Sequence, residues 1–439
     1  MNHTLNITNG DSAADLIRDA GIKGEILPWR DVLHDGPVPK GLNLEALSRM
    51  RADFIAARKW APQDESRREF SRRDQILAHW GSYDSIRLWF EHDLYDQLQI
   101  LQLLDFFARE VGAVDRLRLI CTEKYLGHLS PAQLVALQEF EQPLSPGQLN
   151  LASRAWAAFR EPDPLAWRAL LTQDTSPLPY LQGAISRMID EYPATGNGLG
   201  LTEQRALDML VDGPASMAEL FARNQQAEER VYLGDWSYLE LLEQMADAET
   251  ALIHATDGQS EIRPDTRLEL TGAGQRVQQG VAGPVTVPHW TMRWIGGVCM
   301  TRTNHWRREN NGGLVRCCDK SLRMTGPLTL RSYPGGNAAH FRHCAQAAYA
   351  PYIRRFGEPP MPMLDDYADL PGDREVYVAA TSGEGIAGFL ILNPTGERMV
   401  LENMAVHPDA QGAGLGGRMM DLAEVRAKAL GYPEIELYT

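Results

Sequence analysis

The chain has 439 residues, 44% of them hydrophobic and 23% charged, a composition that indicates a folded globular protein of about two to four domains and excludes a disordered chain. Its 58 acidic against 43 basic residues give a net charge of −15, which argues against a general, sequence-independent affinity for nucleic-acid phosphates. Five cysteines, an odd number, together with an N-terminus unlike a signal peptide and no membrane-length apolar run, predict a cytoplasmic protein without a membrane partner.

The first 125 residues alternate short apolar strands with helical stretches. Strands are predicted at 5–8, 24–28, 85–90 and 117–121, and helices at 13–20, within 42–80 and at 98–111. Strands that alternate with helices indicate a parallel sheet. Ligands of such sheets bind beyond the carboxyl ends of the strands, so the residues that follow each strand are candidates for a site.

Those residues are polar and include carboxylates and imidazoles. The candidates for an N-terminal ligand site are Asn9, Asp11, Ser12, His34, Asp35, Glu91, His92 and Asp93. The last five could supply metal ligands or a general acid and base, and we expect Asp11, His34, His92 and Asp93 to lie together at one edge of the sheet. The alternative is structural, because Asp and Ser after strands commonly cap the next helix and Asp35-Gly36-Pro37 is a common turn.

Segments 8–12, 29–37 and 90–96 together resemble a bacterial family known as domain of unknown function 1835. The resemblance covers about residues 1 to 125, with a looser continuation to about 318. That family name implies no activity. It implies only that these loops belong to one domain.

The middle of the chain, 126–318, is predicted to be mainly helical, and from residue 201 its order of elements resembles a winged-helix module. Residues 201–280 contain 15 acidic and 6 basic residues, whereas a DNA-binding surface needs a basic face. The sequence therefore favours a protein-contact scaffold over nucleic-acid binding. Tryptophans and arginines within 290–316, including Trp290, Trp294 and Arg302, could stack on bases, but glycine pairs beside them favour hairpins.

No metal ion is assigned, because Cys317, Cys318, His340 and His343 lack the spacing of a zinc site. Beyond them the C-terminal part predicts a strand at 328–332, a helix at 338–356 and a second helix at 363–370. A hairpin at 375–392, turning at 382–384, and a strand at 399–406 follow. A final helix has an apolar face and is closed by Gly431 before a strand at 434–439. That face consists of Met419, Met420, Ala423, Ala427 and Leu430.

A glycine-rich turn joins the strand at 399–406 to the final helix. Such a turn exposes backbone N–H groups, and the helix dipole favours an anion such as a pyrophosphate. Gly412, Gly414 and Gly417 also fit the dinucleotide fingerprint of Rossmann folds. That interpretation is not favoured, because four polar or strand-breaking residues separate the turn from the strand and only 22 residues follow Gly417.

The string Gln-x-x-Gly-x-Gly at 411–416, after Ala-Val-His-Pro at 405–408, resembles the coenzyme A motif of the Gcn5-related N-acetyltransferase (GNAT) superfamily, over about residues 325 to 439. The resemblance implies that strand amides bind the pantetheine arm, that the turn binds the pyrophosphate and that Arg418 adds charge. The implied acetyl-coenzyme A contacts are Met404, Ala405, Val406, Gln411, Gly412, Ala413, Gly414, Leu415, Gly416, Gly417 and Arg418.

The implied reaction is acetyl transfer from acetyl-coenzyme A to an amine of a small molecule or a protein. Glu402 is the expected base, because it lies two residues before Met404 and so shares its face of the strand. The family fold continues with another helix and two strands that commonly carry a thiolate-protonating tyrosine, so ending at Thr439 predicts an incomplete module. The alternative function is a ligand-binding or regulatory protein with a non-catalytic coenzyme A module.

The predicted fold class is therefore a multidomain α/β and α+β protein. Its parts are a parallel-sheet α/β domain at 1–125, a helical, winged-helix-like middle at 126–318 and a GNAT-like mixed sheet with helices at 325–439.

Overall fold

The computed structural model describes the chain apart from residues 1–2, 248–250, 281–291, 302–303, 319–328, 334–337, 357, 369, 371–372, 381–385, 397, 412–413 and 438–439. The chain forms two compact units. The first comprises 1–40, 47–300 and 306–316, and the second comprises 41–46, 301–305 and 317–439. The finer boundaries expected near residues 125 and 318 remain predictions.

The first unit contains a five-stranded sheet whose first four strands run parallel, in line with the alternation of strands and helices in the sequence. The order in the sheet is β2-β1-β3-β4-β5, and β5 runs antiparallel to β4. The strands are β1 (Thr4–Thr8), β2 (Glu25–Pro28), β3 (Ser85–Glu91), β4 (Leu117–Thr122) and β5 (Gln142–Pro143).

Helices connect these strands, and one of them begins earlier than predicted. They are α1 (Asp11–Asp19), α2 (Leu44–Ala57), α3 (Gln63–Ala78) and α4 (Leu94–Phe107). The prediction of 98–111 for α4 is wrong by four residues at each end. The Asp93 carboxylate caps the helix by accepting a hydrogen bond from the Asp96 amide, and at the other end Val111 is 97% exposed.

The loop that follows β2 is held by one buried guanidinium. Arg51 pairs with Asp31 at 2.9 Å, and both side chains are fully buried. The same guanidinium donates hydrogen bonds to the carbonyls of Val32, Asp35 and Pro37. Four acceptors around one guanidinium compensate the cost of burying the charge.

Helices continue through the next part of the first unit and lead into a small sheet. The helices before residue 200 are α5 (Pro131–Ala136), α6 (Pro146–Phe159), α7 (Leu165–Ala169) and α8 (Leu181–Ile189). The elements after it are α9 (Leu201–Met209), β6 (Ala215–Ser216), α10 (Met217–Ala227), α11 (Asp235–Ala246), β7 (Ile253–Ala255), β8 (Arg267–Leu270) and α12 (Gly272–Gln278). The three strands form a sheet of order β6-β8-β7, and this is the order of elements on which the winged-helix resemblance rests.

The tryptophan-rich segment forms strands, as the hairpin interpretation predicts. They are β9 (Met292–Ile295), β10 (Val298–Thr301), β11 (Asn304–Arg308) and β12 (Leu314–Cys318), in the order β12-β11-β10-β9. Arg293 on β9 pairs with Glu191 and Glu203, so its charge is already neutralised within the unit. Trp290 and Arg302 lie outside the described residues.

The second unit is a five-stranded mixed sheet with a helix on each face. Its elements are β13 (Thr329–Ser332), α13 (Ala338–Phe356), β14 (Glu375–Ala380), β15 (Ile386–Thr395), β16 (Arg398–Val406), α14 (Leu415–Ala429) and β17 (Ile435–Leu437). The sheet order follows the chain, and only the β16–β17 pair is parallel. Phe389 and Ile391 pack with α13, whereas Leu390 and Leu392 pack with α14, as the two-residue period of a strand requires.

Two details of this unit differ from the sequence predictions. The helix expected at 363–370 is wrong: a single 3-10 turn at Met361–Met363 takes its place, with Pro362 inside it and Tyr367 at a φ of +40°. A left-handed residue in the middle of the segment interrupts a continuous helix. Leu430, expected on the apolar face of α14, is 45% exposed. The hairpin turn at 382–384 lies outside the described residues.

None of the helices in the described part of the chain has the length and apolar character needed to cross a membrane.

Candidate active site

The glycine-rich turn is held against the end of β16. His407, which is buried, follows β16 and begins a short 3-10 turn at Pro408–Ala410, where its Nδ1 accepts a hydrogen bond from the Asp409 amide. Burial lowers the pKa of His407. The Gln411 side-chain amide donates to the Val406 carbonyl at 3.0 Å. These contacts fix the path of the chain from the strand into the turn.

Gly414 is the N-cap of α14 and has a φ of +74°. Residues with a Cβ rarely adopt this conformation, so a glycine is needed here. The first amides of the 15-residue helix that follows lack intrahelical acceptors, and the helix dipole adds a partial positive charge. The N-terminus of α14 is therefore suited to an anionic group. Gly412 and Ala413 lie outside the described residues.

A cleft of about 500 Å³ lies where β16, the turn and α14 meet. Predicted residues that line it are Met404, Ala405, Val406, Gln411, Gly414, Leu415 and Gly416. Gly417 and Arg418 belong to the first turns of α14 and are not part of the described lining. The sequence reasoning missed Ala348, Tyr349 and Tyr352, which line the cleft from α13. Nothing in their local sequence marks them, because packing of the helix on the sheet brings them there.

The strand edge in the cleft is open on one side. Met404 to Val406 pair with β15, while the pairing of β16 with β17 covers only Met399 to Leu401 among the described residues. Backbone groups of the last residues of β16 can therefore bind a ligand. Gly388 on β15 allows this packing, since a Cβ there would lie 2.8 Å from both the Ala405 carbonyl oxygen and the Met419 methyl carbon.

Glu402 lies at a β-bulge in β16. The pairing with β15 steps from Leu401 directly to Asn403, so Glu402 is the extra residue. From Glu402 to Val406, exposed or half-buried residues still alternate with buried ones, which places Glu402 on the same side as Met404. Its carboxylate accepts hydrogen bonds at 2.5 Å from both Arg374 and Asn393. Glu402 is not among the described residues that line the cleft.

Three of the predicted N-terminal residues lie together in the first unit. The Asn9 side-chain amide donates to Glu91 at 3.1 Å and to Asp96 at 2.9 Å. Carboxylate oxygens of Glu91, Asp93 and Asp96 all lie within 4.8 Å of one another, and all three residues are buried. Asp96 is the member that the sequence reasoning did not select.

Burial and mutual repulsion shift the titration of this acidic cluster, formed by Glu91, Asp93 and Asp96. Burial, followed by the charge of Glu91, raises the pKa of Asp93 from 3.8 to about 7. Burial also raises the pKa values of Glu91 and Asp96. Backbone amides of Leu126 and Glu91 donate to Glu91 and Asp96 respectively. Bound protons and N–H donors thus stabilise the carboxylate oxygens of the acidic cluster. The spacing of these oxygens would also suit a divalent cation.

The remaining N-terminal candidates belong to other sets of contacts. Asp11 is exposed and pairs with Arg30. His34 packs edge-on against Tyr95 and Tyr232, and burial lowers its pKa to about 4. His92 packs against two other tyrosines, Tyr125 and Tyr180.

Ser12 and Asp35 have other surroundings. Ser12 is exposed in the first turn of α1. The Asp35 carbonyl accepts a hydrogen bond from the Arg51 guanidinium, which holds the loop after β2. A single site containing Asp11, His34, His92 and Asp93 stays a prediction.

Residues 341–439 match the model of the acetyltransferase (GNAT) family, less than a quarter of the chain. The match includes β16, the turn and α14. It does not reach the first 340 residues, for which the resemblance to domain of unknown function 1835 stays a prediction. None of the curated proteins matches the chain.

Several solved structures are similar to part of the chain. A transcriptional regulator from Bacillus halodurans C-125 has 26% identity and a TM-score of 0.21, with 26% of this chain and 81% of that chain covered. A GNAT family acetyltransferase from Brucella melitensis in complex with acetyl-CoA has 20% identity and a TM-score of 0.22, with 26% and 75% covered. The ribosomal-protein-S18-alanine N-acetyltransferase from Escherichia coli has 21% identity and a TM-score of 0.21, with 25% and 64% covered. At these TM-scores the similarity supports no conclusion about the fold or function of this chain. The family match alone indicates that the C-terminal part of the chain, residues 341–439, carries a GNAT acetyltransferase domain.

Proposed function

We propose that the protein binds acetyl-coenzyme A in the cleft of the second unit and transfers the acetyl group to an amine of a small molecule or a protein. The observation that carries the proposal is the cleft itself. It joins the open edge of β16 to the N-terminus of α14 through a left-handed Gly414, within the segment that matches the GNAT family. An extended amide-containing arm and a pyrophosphate are the groups that these two surfaces suit.

The two ends of the cleft would bind different parts of the coenzyme. Backbone groups of Met404 to Val406 would bind the pantetheine arm, since β17 does not cover them among the described residues. Amides from Gln411 to Gly416, with the dipole of α14, would bind the pyrophosphate. Arg418 would add positive charge from the first turns of the helix.

In the proposed reaction a base removes a proton from the substrate ammonium, and the free amine nitrogen attacks the thioester carbonyl carbon. The C–N bond forms, the nitrogen releases its second proton to solvent, and the C–S bond breaks. The coenzyme leaves as a thiolate that takes a proton from solvent. Glu402 is the proposed base. Because its two oxygens accept from Arg374 and Asn393, an incoming ammonium would replace one of these donors or share an oxygen with it.

The contacts of Glu402 with Arg374 and Asn393 favour a second candidate function, a coenzyme A-binding module without catalysis. Glu402 is engaged by two neighbours and is not part of the described lining of the cleft. In that case the protein would bind the coenzyme and leave it unchanged.

Calorimetric titration of coenzyme A into the Gly414→Val variant tests the binding site. Valine at this left-handed position forces the turn to rearrange and places a side chain where the pyrophosphate would approach, so binding is expected to be lost. Gly431→Val is the matched control. Gly431 also has a positive φ, +81°, and also has open space around its Cβ position, but it follows the opposite end of α14. Equal affinities in the wild type and Gly414→Val, or equal losses in both variants, would contradict the assignment.

A further inference from the structure

One buried amide in the second unit links the cleft to a chain of hydroxyl groups. Asn403, 4% exposed, follows the bulge residue in β16. Its Nδ2 donates to the Tyr367 hydroxyl at 2.8 Å, and its Oδ1 accepts from the Tyr349 hydroxyl at 2.9 Å. The Tyr367 hydroxyl in turn donates to the Pro362 carbonyl at 2.6 Å. These four residues form one continuous hydrogen-bonded chain.

The direction of every bond in this chain follows from its last acceptor. A carbonyl can only accept, so Tyr367 must use its single proton on Pro362. The Tyr367 oxygen is then an acceptor, and the atom of Asn403 that faces it must be the NH₂ group. The other end of the Asn403 amide is therefore its carbonyl oxygen, which can only accept. Tyr349 must supply the proton for that contact.

Tyr349 has a second acceptor on the same side, because its hydroxyl lies 3.0 Å from the Met404 carbonyl. Both neighbours on the strand thus draw the hydroxyl proton toward β16. Burial also raises the pKa of Tyr349 to about 12, so the group keeps its proton at neutral pH. Toward the cleft, the Tyr349 oxygen can therefore act only as a hydrogen-bond acceptor. Tyr349 and Met404 both line the cleft.

The orientation of Tyr367 is built into the fold. Its backbone has a φ of +40°, unusual for a residue with a side chain, and its ring packs against Phe341 and Phe389 in the core beneath α13. A side chain packed in this way does not turn freely, so the Pro362 carbonyl remains the acceptor for its proton. The polarity that reaches Tyr349 is therefore set by buried residues remote from the cleft.

We propose that the Tyr349 hydroxyl oxygen accepts a hydrogen bond from an amide N–H of the pantetheine arm of coenzyme A. The inference rests on the proposed function, and it assigns Tyr349 a role opposite to that of a proton donor to the coenzyme thiolate. Pantetheine amides supply the required N–H donors. Their expected path along Met404 to Val406 passes the carbonyl to which Tyr349 is bonded.

The test is calorimetric titration of coenzyme A into the full-length wild type and into Tyr349→Phe. Loss of one neutral hydrogen bond is expected to weaken coenzyme A binding about 3- to 10-fold. The affinity for 3′-phospho-ADP, which lacks the pantetheine arm, is expected to stay unchanged. Tyr377→Phe is the matched control, since it removes a hydroxyl that bonds Glu375 on β14 and does not line the described part of the cleft.

Wild-type binding with equal affinity in Tyr349→Phe overturns the inference while the proposed function stands. Equal weakening toward coenzyme A and 3′-phospho-ADP also overturns it, because the loss would then not concern the arm. A wild type that binds no coenzyme A overturns the proposed function, and the inference with it.

Discussion

The cleft of the second unit, proposed to bind the coenzyme, and the acidic cluster of the first unit are built in different ways. Most of the cleft lining comes from one short part of the chain, between Met404 and Gly416, which contains the left-handed Gly414, and α13 adds residues such as Tyr349 from one side. The acidic cluster uses side chains, and Asn9 reaches carboxylates 82 and 87 residues further along the chain. A site made of consecutive backbone is specified locally, whereas a site made of distant side chains depends on which strands become neighbours.

Because of this difference, the chemistry of the cleft is better defined than that of the acidic cluster. A turn between a strand and a helix has a defined chemistry, because its free amides point outward. Buried carboxylates are chemically ambiguous, since protons, N–H donors or a cation can each stabilise them. Three substitutions, ordered by the size of the expected effect, test how far the contrast holds.

The largest expected effect is on turnover in Glu402→Gln. If Glu402 is the base, acetyl transfer should fall by about 10²–10⁴-fold, with little change in coenzyme A affinity, since the side chain lies outside the turn. Glu436→Gln is the control, because Glu436 is also a strand glutamate paired with an arginine, Arg398, but lies on β17. Acetyl transfer measured by thiol release decides the matter. Equal rates in Glu402→Gln and the wild type would refute the assignment.

An intermediate effect is expected on stability in Asp93→Asn. The folded-state pKa of Asp93, about 7, exceeds its usual 3.8, so between these values the folded state holds a proton that the unfolded state has lost. The contribution of Asp93 to the free energy of unfolding should therefore fall as pH rises from 4 to 7 and level off above. Asparagine, which also caps helices, removes this dependence and should gain about 2–4 kcal/mol over the wild type between pH 4 and pH 8.

Urea denaturation of both proteins at pH 4, 6 and 8 measures the difference. A gap between the two that stays constant with pH would show that Asp93 does not titrate in this range. A wild type more stable than Asp93→Asn at pH 8 would show that the ionised cluster stabilises the fold, as it would if it bound a cation.

The smallest expected effect belongs to Asp11→Asn. Asp11 pairs with Arg30 at the surface, with 64% and 42% of the two side chains exposed. Exposed pairs contribute less than about 1 kcal/mol, so thermal unfolding should change little. A large loss would mean that Asp11 has a role beyond this pair, which would strengthen the single-site hypothesis for the N-terminal residues.

Sequence reasoning worked where a residue's neighbours in the chain determine its conformation. Gly431 has the left-handed φ expected after α14, and the apolar positions Met419, Ala423 and Ala427 are buried. It failed at 363–370, where the left-handed Tyr367 interrupts the predicted helix.

The remaining omissions are long-range. Tyr349 lies on α13 and bonds to residues about 55 positions away on β16, so no local pattern could select it. Asp96 could have been found, because it lies one helical turn after Asp93 on α4. The order of the strands in the sheet, by contrast, decides that Asn9, which follows β1, lies beside Asp96.

The Arg51 guanidinium has a consequence for local motion. The segment 31–37 contains no helix or strand, yet its carbonyls at Val32, Asp35 and Pro37 and the Asp31 carboxylate all bond to one side chain on α2. Opening the segment would leave that charge buried and unpaired, so the segment should open together with α2 rather than independently. Its amides should then exchange with solvent deuterium, and its peptide bonds be cleaved by proteases, no faster than those of the helix that anchors it.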